Sequence, residues 1–272
     1  MAKLNTDNPI GVFDSGIGGL TVVRALTERL PHEWIIYFGD TARVPYGPKS
    51  PDVVRQYAIQ DAAFLTSKSV KLIVVACNTV SAVALDEVEK RNPMPVLGVI
   101  SPGAQAAVVA TKNKRIGVIG TVGTIVSQAY TRAIHSLDSL IEVISRPCPL
   151  FVPLAEEGLA NHPATEMLTN EYLKPLLAQE IDTLVLGCTH YPLLKHTIEK
   201  VVGPQITLID SAEATALEVE KLLAREGLLT RNNGTPRHEF FVSDLPHRFR
   251  ELGERFFGEP LESVTKVEGF PV

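Results

Sequence analysis

A chain of 272 residues with 45% hydrophobic content is long enough for one large domain or two modest ones. Its net charge of −5, without a Lys/Arg-rich run, argues against nucleic acid as the main partner. No apolar run approaches the length of a membrane span, and residues 1–9 lack the apolar segment of a signal peptide. We therefore expect a cytoplasmic protein with no membrane partner.

Short β-rich runs alternate with amphipathic helical patterns along nearly the whole chain. Strands are predicted, in chain order, over residues 10–14, 34–39, 71–76, 96–99, 115–120, 140–145, 183–187, 206–209 and 239–242. Helices are predicted over residues 20–30, 51–67, 80–91, 103–110, 124–135, 170–179, 192–201, 212–225 and 246–257. Several strands are continuous apolar runs, which are typical of strands covered on both faces. The alternation predicts parallel sheets joined by right-handed crossovers.

The chain contains an internal repeat. Residues 71–79 and 183–190 are two β-branched runs that each end at a cysteine, and Cys77 and Cys188 are 111 residues apart. Residues 11–16 and 117–122 form a second matching pair, 106 residues apart. The repeat predicts an α/β protein of two similar parallel-sheet domains that are related by pseudo-symmetry and face each other across a cleft. The first would comprise residues 1–99 with 210–272 and carry Cys77; the second, residues 100–209, would carry Cys188.

Three cysteines, Cys77, Cys148 and Cys188, are an odd number, which argues against a disulfide framework. No C-x-x-C or H-x-x-x-H spacing supports a structural zinc site. A free cysteine is more often a small buried hydrophobe than a catalytic group, and we assign that role to Cys148. As a matched pair at strand ends, Cys77 and Cys188 favour catalysis instead, because a thiol at a helix start has a lowered pKa.

Polar loops follow the predicted strands, at the sheet edge where ligands bind in parallel α/β folds. Residues 14–19 lack the spacing of a dinucleotide or P-loop motif, so their glycines either permit a tight turn or form an amide cradle for a carboxylate. Thr79 and Thr189 are candidate helix caps or substrate contacts. His190, two residues from Cys188, could tune that thiol or shuttle its proton. The spacing around Glu156 by itself indicates only an exposed helix start.

Several motifs, taken together, are specific. They are Val12-Phe13-Asp14-Ser15-Gly16-Ile17-Gly18-Gly19-Leu20, Asp40, Pro45-Tyr46-Gly47, Ala76-Cys77-Asn78-Thr79, Gly120-Thr121 with Thr124, Phe151-Val152-Pro153-Leu154-Ala155-Glu156 and Gly187-Cys188-Thr189-His190-Tyr191-Pro192. In this order the chain resembles the cofactor-independent aspartate/glutamate racemase family, and within it the glutamate racemases. The family usually has Val at the position of Ala155, a departure that leaves Glu156 matched.

The resemblance implies an isomerase that interconverts L- and D-glutamate and supplies D-glutamate for peptidoglycan synthesis, without pyridoxal phosphate, metal or any other cofactor. It implies that Cys77 and Cys188 act on opposite faces of Cα, with Asp14 assisting Cys77, and Glu156 and His190 assisting Cys188. The substrate-binding positions that it implies are Asp14, Ser15, Tyr46, Gly47, Asn78, Thr79, Thr121, Thr189 and His190. It leaves the oligomeric form open and allows a homodimer.

Three alternatives remain at this point. An aspartate or hydantoin racemase would differ in pocket size, although the full run of residues 187–192 favours glutamate. A thiol hydrolase or redox protein would need one nucleophile with a partner base, or a resolving cysteine. A two-lobed binding module would bind a ligand without turnover. The paired thiols fit both non-racemase alternatives less well.

Overall fold

The computed structural model describes residues 5–270. The strands are β1 (Ile10–Asp14), β2 (Ile35–Gly39), β3 (Leu72–Val75), β4 (Val96–Gly98), β5 (Arg115–Gly120), β6 (Glu142–Pro147), β7 (Thr183–Gly187), β8 (Thr207–Asp210), β9 (Glu239–Val242) and β10 (Val264–Lys266). The helices are α1 (Leu20–Arg29), α2 (Pro51–Ser67), α3 (Asn78–Val83), α4 (Leu85–Arg91), α5 (Ile100–Ala110), α6 (Val122–Val126), α7 (Ala129–Leu137), α8 (Phe151–Glu156), α9 (Pro163–Leu177), α10 (Lys195–Val202), α11 (Ser211–Arg225) and α12 (Pro246–Phe257). A 3₁₀ helix, Tyr191–Leu194, precedes α10.

The strands form two fully parallel sheets. The first has the order β10-β9-β2-β1-β3-β4 and the second has the order β6-β5-β7-β8. We call the residues of the first sheet and their connections within 10–98 and 239–266 the first lobe, and residues 115–210 the second lobe. The four-strand orders β2-β1-β3-β4 and β6-β5-β7-β8 are the same, so the predicted pair of similar α/β units is confirmed. The domain boundaries at 99/100 and 209/210 stay a prediction.

The apolar core is continuous between the lobes. One buried cluster contains Ile10 and Leu72 from the first sheet together with Leu184 and Leu186 from the second. Each lobe also buries a cluster of its own on the other face of its sheet. Both lobes are therefore held to each other by burial of apolar surface, and not by surface contacts alone. Within residues 5–270, no helix is long and apolar enough to cross a bilayer.

The predicted strands all occur, but several helices differ from the sequence prediction. The helix predicted over residues 80–91 is broken at Ala84 into α3 and α4. The one predicted over 124–135 is broken near Gln128, which has a left-handed φ of 54° that ends α6 and starts α7. The helix predicted over 170–179 begins earlier, at Pro163, where His162 caps the first turn. Helix α8 and strand β10 were not predicted.

Candidate active site

The polar loops after the central strands of both sheets converge on the cleft between the lobes. Asp14 ends β1, and Cys77 follows β3 in the first lobe. Thr121 follows β5 and Cys188 follows β7 in the second lobe. Because the strands are parallel, these residues lie at the carboxyl edge of each sheet, as the sequence indicates.

Cys77 is the N-cap residue of α3 and is 5% exposed. Its Sγ donates to Oγ of Ser15 at 3.6 Å. Burial, the negative charge of Asp14 and the charge of Cys188 all raise the pKa of the Cys77 thiol well above its ordinary value, against the lowering effect of the Val80 amide and Ser15. The lowered pKa predicted from its position at a helix start is therefore wrong for Cys77, because burial outweighs the helix terminus. Burial and the negative charge of Asp14 therefore oppose ionisation of Cys77.

Asp14 supplies a carboxyl group beside Cys77. Its Oδ2 accepts a hydrogen bond from the amide of Gly19 at 2.9 Å, and its charge is one of the causes that raise the pKa of Cys77. Its Oδ1 is buried and has no hydrogen-bond partner among the described residues. Burial raises the pKa of Asp14, although the charge of His190 opposes that rise. Asp14 is thus placed either to hold a proton near Cys77 or to accept a hydrogen bond from a ligand.

The imidazole of His190 lies next to Cys188, and the carboxylate of Glu156 lies next to that imidazole. Nδ1 of His190 lies 4.0 Å from Sγ of Cys188, and Nε2 of His190 lies 3.0 Å from Oε1 of Glu156. Burial alone would lower the pKa of His190, but the hydrogen bonds and negative charges of Cys188 and Glu156 raise it to about 10. Burial alone would raise the pKa of Glu156, but His190 and the charge of Arg248 lower it. The pair is thus placed to hold a proton close to Cys188.

Asn78 contributes a second buried polar atom that lacks a protein partner. Its Oδ1 accepts a hydrogen bond from the hydroxyl of Tyr130 at 2.7 Å, which fixes the amide orientation across the two lobes. Its Nδ2 is buried and unpaired within the part of the chain that the structure describes. Nδ2 of Asn78 is a donor, while Oδ1 of Asp14 is an acceptor. Unpaired buried polar atoms are costly, so this donor and this acceptor indicate a ligand site.

Three threonines join the lobes near Asn78. Oγ1 of Thr79 lies 2.9 Å from Oγ1 of Thr121, and Oγ1 of Thr121 lies 3.0 Å from Oγ1 of Thr124. Next to them, the carbonyl of Gly47 accepts the amide of Gly123 at 3.0 Å. The predicted capping roles of Thr79 and Thr189 are wrong: Thr79 lies within the first turn of α3, Thr189 lies in the turn before the 3₁₀ helix, and Thr121 is the residue that caps a helix, α6.

The glycine-rich loop after β1 contacts the second lobe directly. A Cβ at Gly18 would lie 2.2 Å from Oγ1 of Thr189 and 2.4 Å from Nδ1 of His190, so only glycine fits without displacing them. The hydroxyl of Thr21 donates to the carbonyl of Thr189 at 3.1 Å. The amides of residues 19–22 are bonded within the loop and α1, and the amide cradle predicted for residues 14–19 stays a prediction. Close approach of the lobes, and not a tight turn, explains Gly18.

Tyr46 belongs to a buried charged cluster that we did not predict. Its hydroxyl donates to Asp40 and, at 3.1 Å, to Asp61, while Arg43 pairs with Asp40 at 2.6 Å and with Asp61 at 2.9 Å. The phenol is therefore used within the protein, and the carbonyls of Tyr46 and Gly47 accept hydrogen bonds from the amides of Lys49 and Gly123. Asp40 was visible as a matched motif residue. Arg43 and Asp61 could not be identified as members of a buried cluster from the sequence, because their burial depends on the packing of α2 over the loop.

Cys148 lies in the shared apolar core. It is fully buried, and burial raises its pKa to about 12. Its Sγ donates to the carbonyl of Arg146 at 3.8 Å. All three cysteines are free, and only Cys77 and Cys188 lie beside the polar groups of the cleft.

The chain is similar to known proteins along nearly its whole length. The family model of Asp/Glu/Hydantoin racemases matches residues 18–219. Glutamate racemase from Chlorobaculum tepidum is 56% identical over 266 residues, which are 97% of this chain and 98% of that protein. A crystal structure of a glutamate racemase isoform from Bacillus anthracis covers 97% of this chain and 99% of its own at 42% identity and a TM-score of 0.94. A crystal structure of glutamate racemase from Francisella tularensis in complex with D-glutamate covers 97% and 98% at 42% identity and a TM-score of 0.91.

Proposed function

The chain belongs to the Asp/Glu/Hydantoin racemase family. We propose that it interconverts L- and D-glutamate, with one thiol removing the proton of Cα and a second thiol delivering a proton to the opposite face. The amino-acid racemase activity predicted from the motifs is confirmed by curated glutamate racemases that match the full chain at more than 50% identity. The choice of glutamate rests on these relatives and on the structural similarity to the enzyme solved with D-glutamate.

One observation carries the two-thiol proposal. Cys77 and Cys188 come from equivalent strands of two similar lobes, and the charge of one raises the pKa of the other. A carbon held between two such thiols can lose its proton to one and gain a proton from the other on the opposite face. Inversion follows from this arrangement, whereas a single base would return the proton to the face from which it came.

For D-glutamate, we assign Cys77 as the base and Cys188 as the acid. The thiolate of Cys77 takes the Cα proton while the thiol of Cys188 delivers its proton to the other face. The α-carbon becomes L, and the negative charge moves from Cys77 to Cys188. The roles exchange for L-glutamate.

The difficult step is formation of a carbanion next to a carboxylate. Preorganised donors in a site that excludes water stabilise such charge far better than water does. Nδ2 of Asn78 is a free donor, and the hydroxyls of Thr79 and Thr121 are fixed beside it. The substrate ammonium can meet Oδ1 of Asp14 and offset the charge that opposes ionisation of Cys77. Ser15, Tyr46, Gly47, Thr189 and His190 complete the proposed substrate contacts.

Each turnover leaves the two thiols in exchanged ionisation states, so protons must move before the same enantiomer can react again. His190 is mostly protonated near neutral pH because its pKa is raised to about 10, and its Nδ1 is 4.0 Å from Sγ of Cys188. Asp14 holds the corresponding place beside Cys77. We assign proton return at Cys188 to His190 and Glu156, and at Cys77 to Asp14.

The product D-glutamate would serve peptidoglycan synthesis, and through it cell wall formation and cell shape. This role follows from the family resemblance. The cytoplasmic location, a homodimer and catalysis without any added cofactor likewise stay predictions.

A racemisation assay in deuterated water tests the proposal. Pure L-glutamate or pure D-glutamate is incubated with the enzyme without added cofactor, and the optical rotation and Cα deuterium content are followed together. We expect the rotation to fall to zero from either side. The product should contain deuterium from the first turnovers, because the thiol that protonates Cα carries a deuteron taken from the solvent. A product that keeps the substrate's Cα hydrogen would contradict two separate acid–base groups. Unchanged rotation, with turnover of aspartate instead, would contradict the choice of substrate.

A further inference from the structure

Helix α12 belongs to the first lobe but reaches a catalytic pair in the second. In the chain it follows β9 and precedes β10 of the first sheet. It packs on α1, where the absence of a side chain at Gly253 lets Leu20 and Leu261 lie close to the helix backbone. At its C-terminal end, the ring of Phe256 lies 5.1 Å from the ring of His190 at an interplanar angle of 79°. This is an edge-to-face contact, a geometry that aromatic rings favour.

Two arginines of the same helix face Glu156. Nη1 of Arg255 donates to the carbonyl of Glu156 at 3.2 Å. Arg248 is near enough for its charge to act on the Glu156 carboxylate, and it borders the same small cavity as Glu156. Arg248 and Arg255 are seven residues apart, so they lie on one face of the helix. Phe256 therefore contacts His190, and Arg255 contacts Glu156.

The turn after Glu156 is also shaped by α12. Gly158 has a left-handed φ of 71°, and a Cβ there would lie 2.7 Å from Nη1 of Arg255. Glu156 thus occupies the end of a six-residue helix, α8, whose C-terminal turn is held by Arg255 of the first lobe. A carboxylate at the end of so short a helix needs such support to keep a fixed direction.

We infer that Phe256 and Arg255 are positioning residues, through which the first lobe holds His190 and Glu156 of the second lobe in the orientation that serves Cys188. The imidazole must direct Nδ1 at Cys188 and Nε2 at Glu156 at once, which only one ring orientation achieves. The ring of Phe256 restricts that orientation, and Arg255 fixes the backbone of the carboxylate. The inference rests on the proposed two-thiol function. It implies that Cys188 has its proton carrier in place only while α12 rests on the second lobe.

Phe257 offers a matched control on the neighbouring position. It is also buried, but it packs edge-to-face on Phe240 of β9 within the first lobe, with a centroid distance of 5.6 Å. Phe256→Leu and Phe257→Leu therefore remove the same aromatic surface from the same helix. They differ in whether His190 loses its neighbour. Arg255→Gln, with Arg250→Gln at an exposed position as its control, tests the second contact without changing the core.

The experiment compares kcat, KM, melting temperature and the primary isotope effect with Cα-deuterated L- and D-glutamate. We expect Phe256→Leu to lower kcat roughly 10- to 100-fold with little change in KM, because a misplaced acid–base group slows proton transfer. The isotope effect on kcat/KM should rise for L-glutamate, whose proton Cys188 abstracts, and not for D-glutamate. Arg255→Gln should lower kcat and raise the isotope effect for L-glutamate in the same way, but by a smaller factor. Phe257→Leu should lower the melting temperature but leave kcat near that of the parent.

Equal losses of kcat in Phe256→Leu and Phe257→Leu, following their losses of stability, would overturn the inference. So would an isotope effect that rises equally for both enantiomers. If Phe256→Leu does not fold, Arg255→Gln decides the matter: parental kinetics for L-glutamate in that variant count against the inference. Failure of the two-thiol proposal itself would appear elsewhere, as full activity of a Cys188→Ala enzyme, and is thereby distinguished.

Discussion

The two halves of this molecule share a strand order and a cysteine position but differ in the group that accompanies each cysteine. Cys77 and Cys188 are both 5% exposed, so burial does not distinguish them. In the first half β1 ends at Asp14, and the equivalent end of β5 is Gly120. In the second half His190 stands two residues after Cys188, and the equivalent residue after Cys77 is Thr79.

Each half thus has one titratable group beside its cysteine that the other half lacks, and we propose both as proton-transfer groups. A carboxyl with a raised pKa lies beside Cys77, and an imidazole with a pKa of about 10 lies beside Cys188. Under the proposed mechanism the reaction needs one acid–base group on each face of Cα, but the residues that assist these two groups need not be alike. The shared strand order places the two cysteines at equivalent positions, and we propose that the sequence differences between the halves set how each thiol gains and loses its proton.

The largest expected effect comes from removing either thiol. We expect Cys77→Ala and Cys188→Ala to abolish racemisation, because each variant retains an acid–base group on only one face of Cα. Cys148→Ala, in the shared core, should keep most of the activity and lose about 1 kcal/mol or more of the free energy of unfolding. Optical rotation measures the first effect and urea denaturation the second. Parental activity in either the Cys77 or the Cys188 variant would refute the two-base assignment.

Replacing Asp14 or His190, the groups that we propose to assist Cys77 and Cys188, should distinguish the roles of the two halves. Asp14→Asn and His190→Asn should each slow turnover by about 100-fold or more, within the range of general acid–base catalysis. Since the enantiomers have equal free energy, kcat/KM must fall equally in both directions. The site of damage is shown by the isotope effect with Cα-deuterated substrate.

We expect Asp14→Asn to enlarge that isotope effect for D-glutamate, whose proton goes to Cys77. We expect His190→Asn to enlarge it for L-glutamate, whose proton goes to Cys188. Arg250→Gln, at an exposed position of α12, is the control and should retain the parental isotope effects. The comparison of halves fails if both variants enlarge the isotope effect for the same enantiomer.

The fold was largely predictable from the sequence because its strands are continuous β-branched runs buried on both faces. Strand β3 (Leu72–Val75) and strand β7 (Thr183–Gly187) are examples, and both were located by composition alone. Strand β10 has only three residues at the sheet edge, two of them exposed, so no pattern marked it. Helix α8 contains Pro153 and has only six residues, too few for a helical period to be recognised in the sequence.

The site was predictable where a residue type repeats or follows a motif, and not where packing creates the environment. The matched cysteines and the motif residues Asp14, Glu156 and His190 could be named from the sequence and its resemblance. Their individual roles stay proposals. The ion pairs of Arg43 with Asp40 and Asp61 were not foreseeable, because in the sequence Asp61 is one of several polar residues of α2. Nor was the contact of Phe256 with His190, which joins residues of different lobes.

The smallest effect we predict concerns Glu156, which acts on Cys188 through His190. Glu156→Gln removes one of the negative charges that raise the pKa of His190 from 6.5 to about 10. The protonated imidazole faces Cys188, Glu156 and, at longer range, Asp14, so its pKa should fall toward the ordinary value but not reach it. We expect the alkaline limb of kcat to move toward neutral pH and activity near pH 8 to fall roughly tenfold.

Stability should follow the same sign. A histidine whose pKa is raised on folding stabilises the folded state fully below its unfolded pKa of 6.5, and this contribution is lost as the pH rises through about 10. The parent should therefore exceed Glu156→Gln in melting temperature near pH 7, and the difference should shrink above pH 10. Nuclear magnetic resonance of the His190 Cε1 proton gives the pKa directly, with His190→Asn identifying the signal. If the midpoint is the same in parent and Glu156→Gln, the carboxylate does not hold the proton on His190, and the Cys188 half loses its proposed distinction from the Cys77 half.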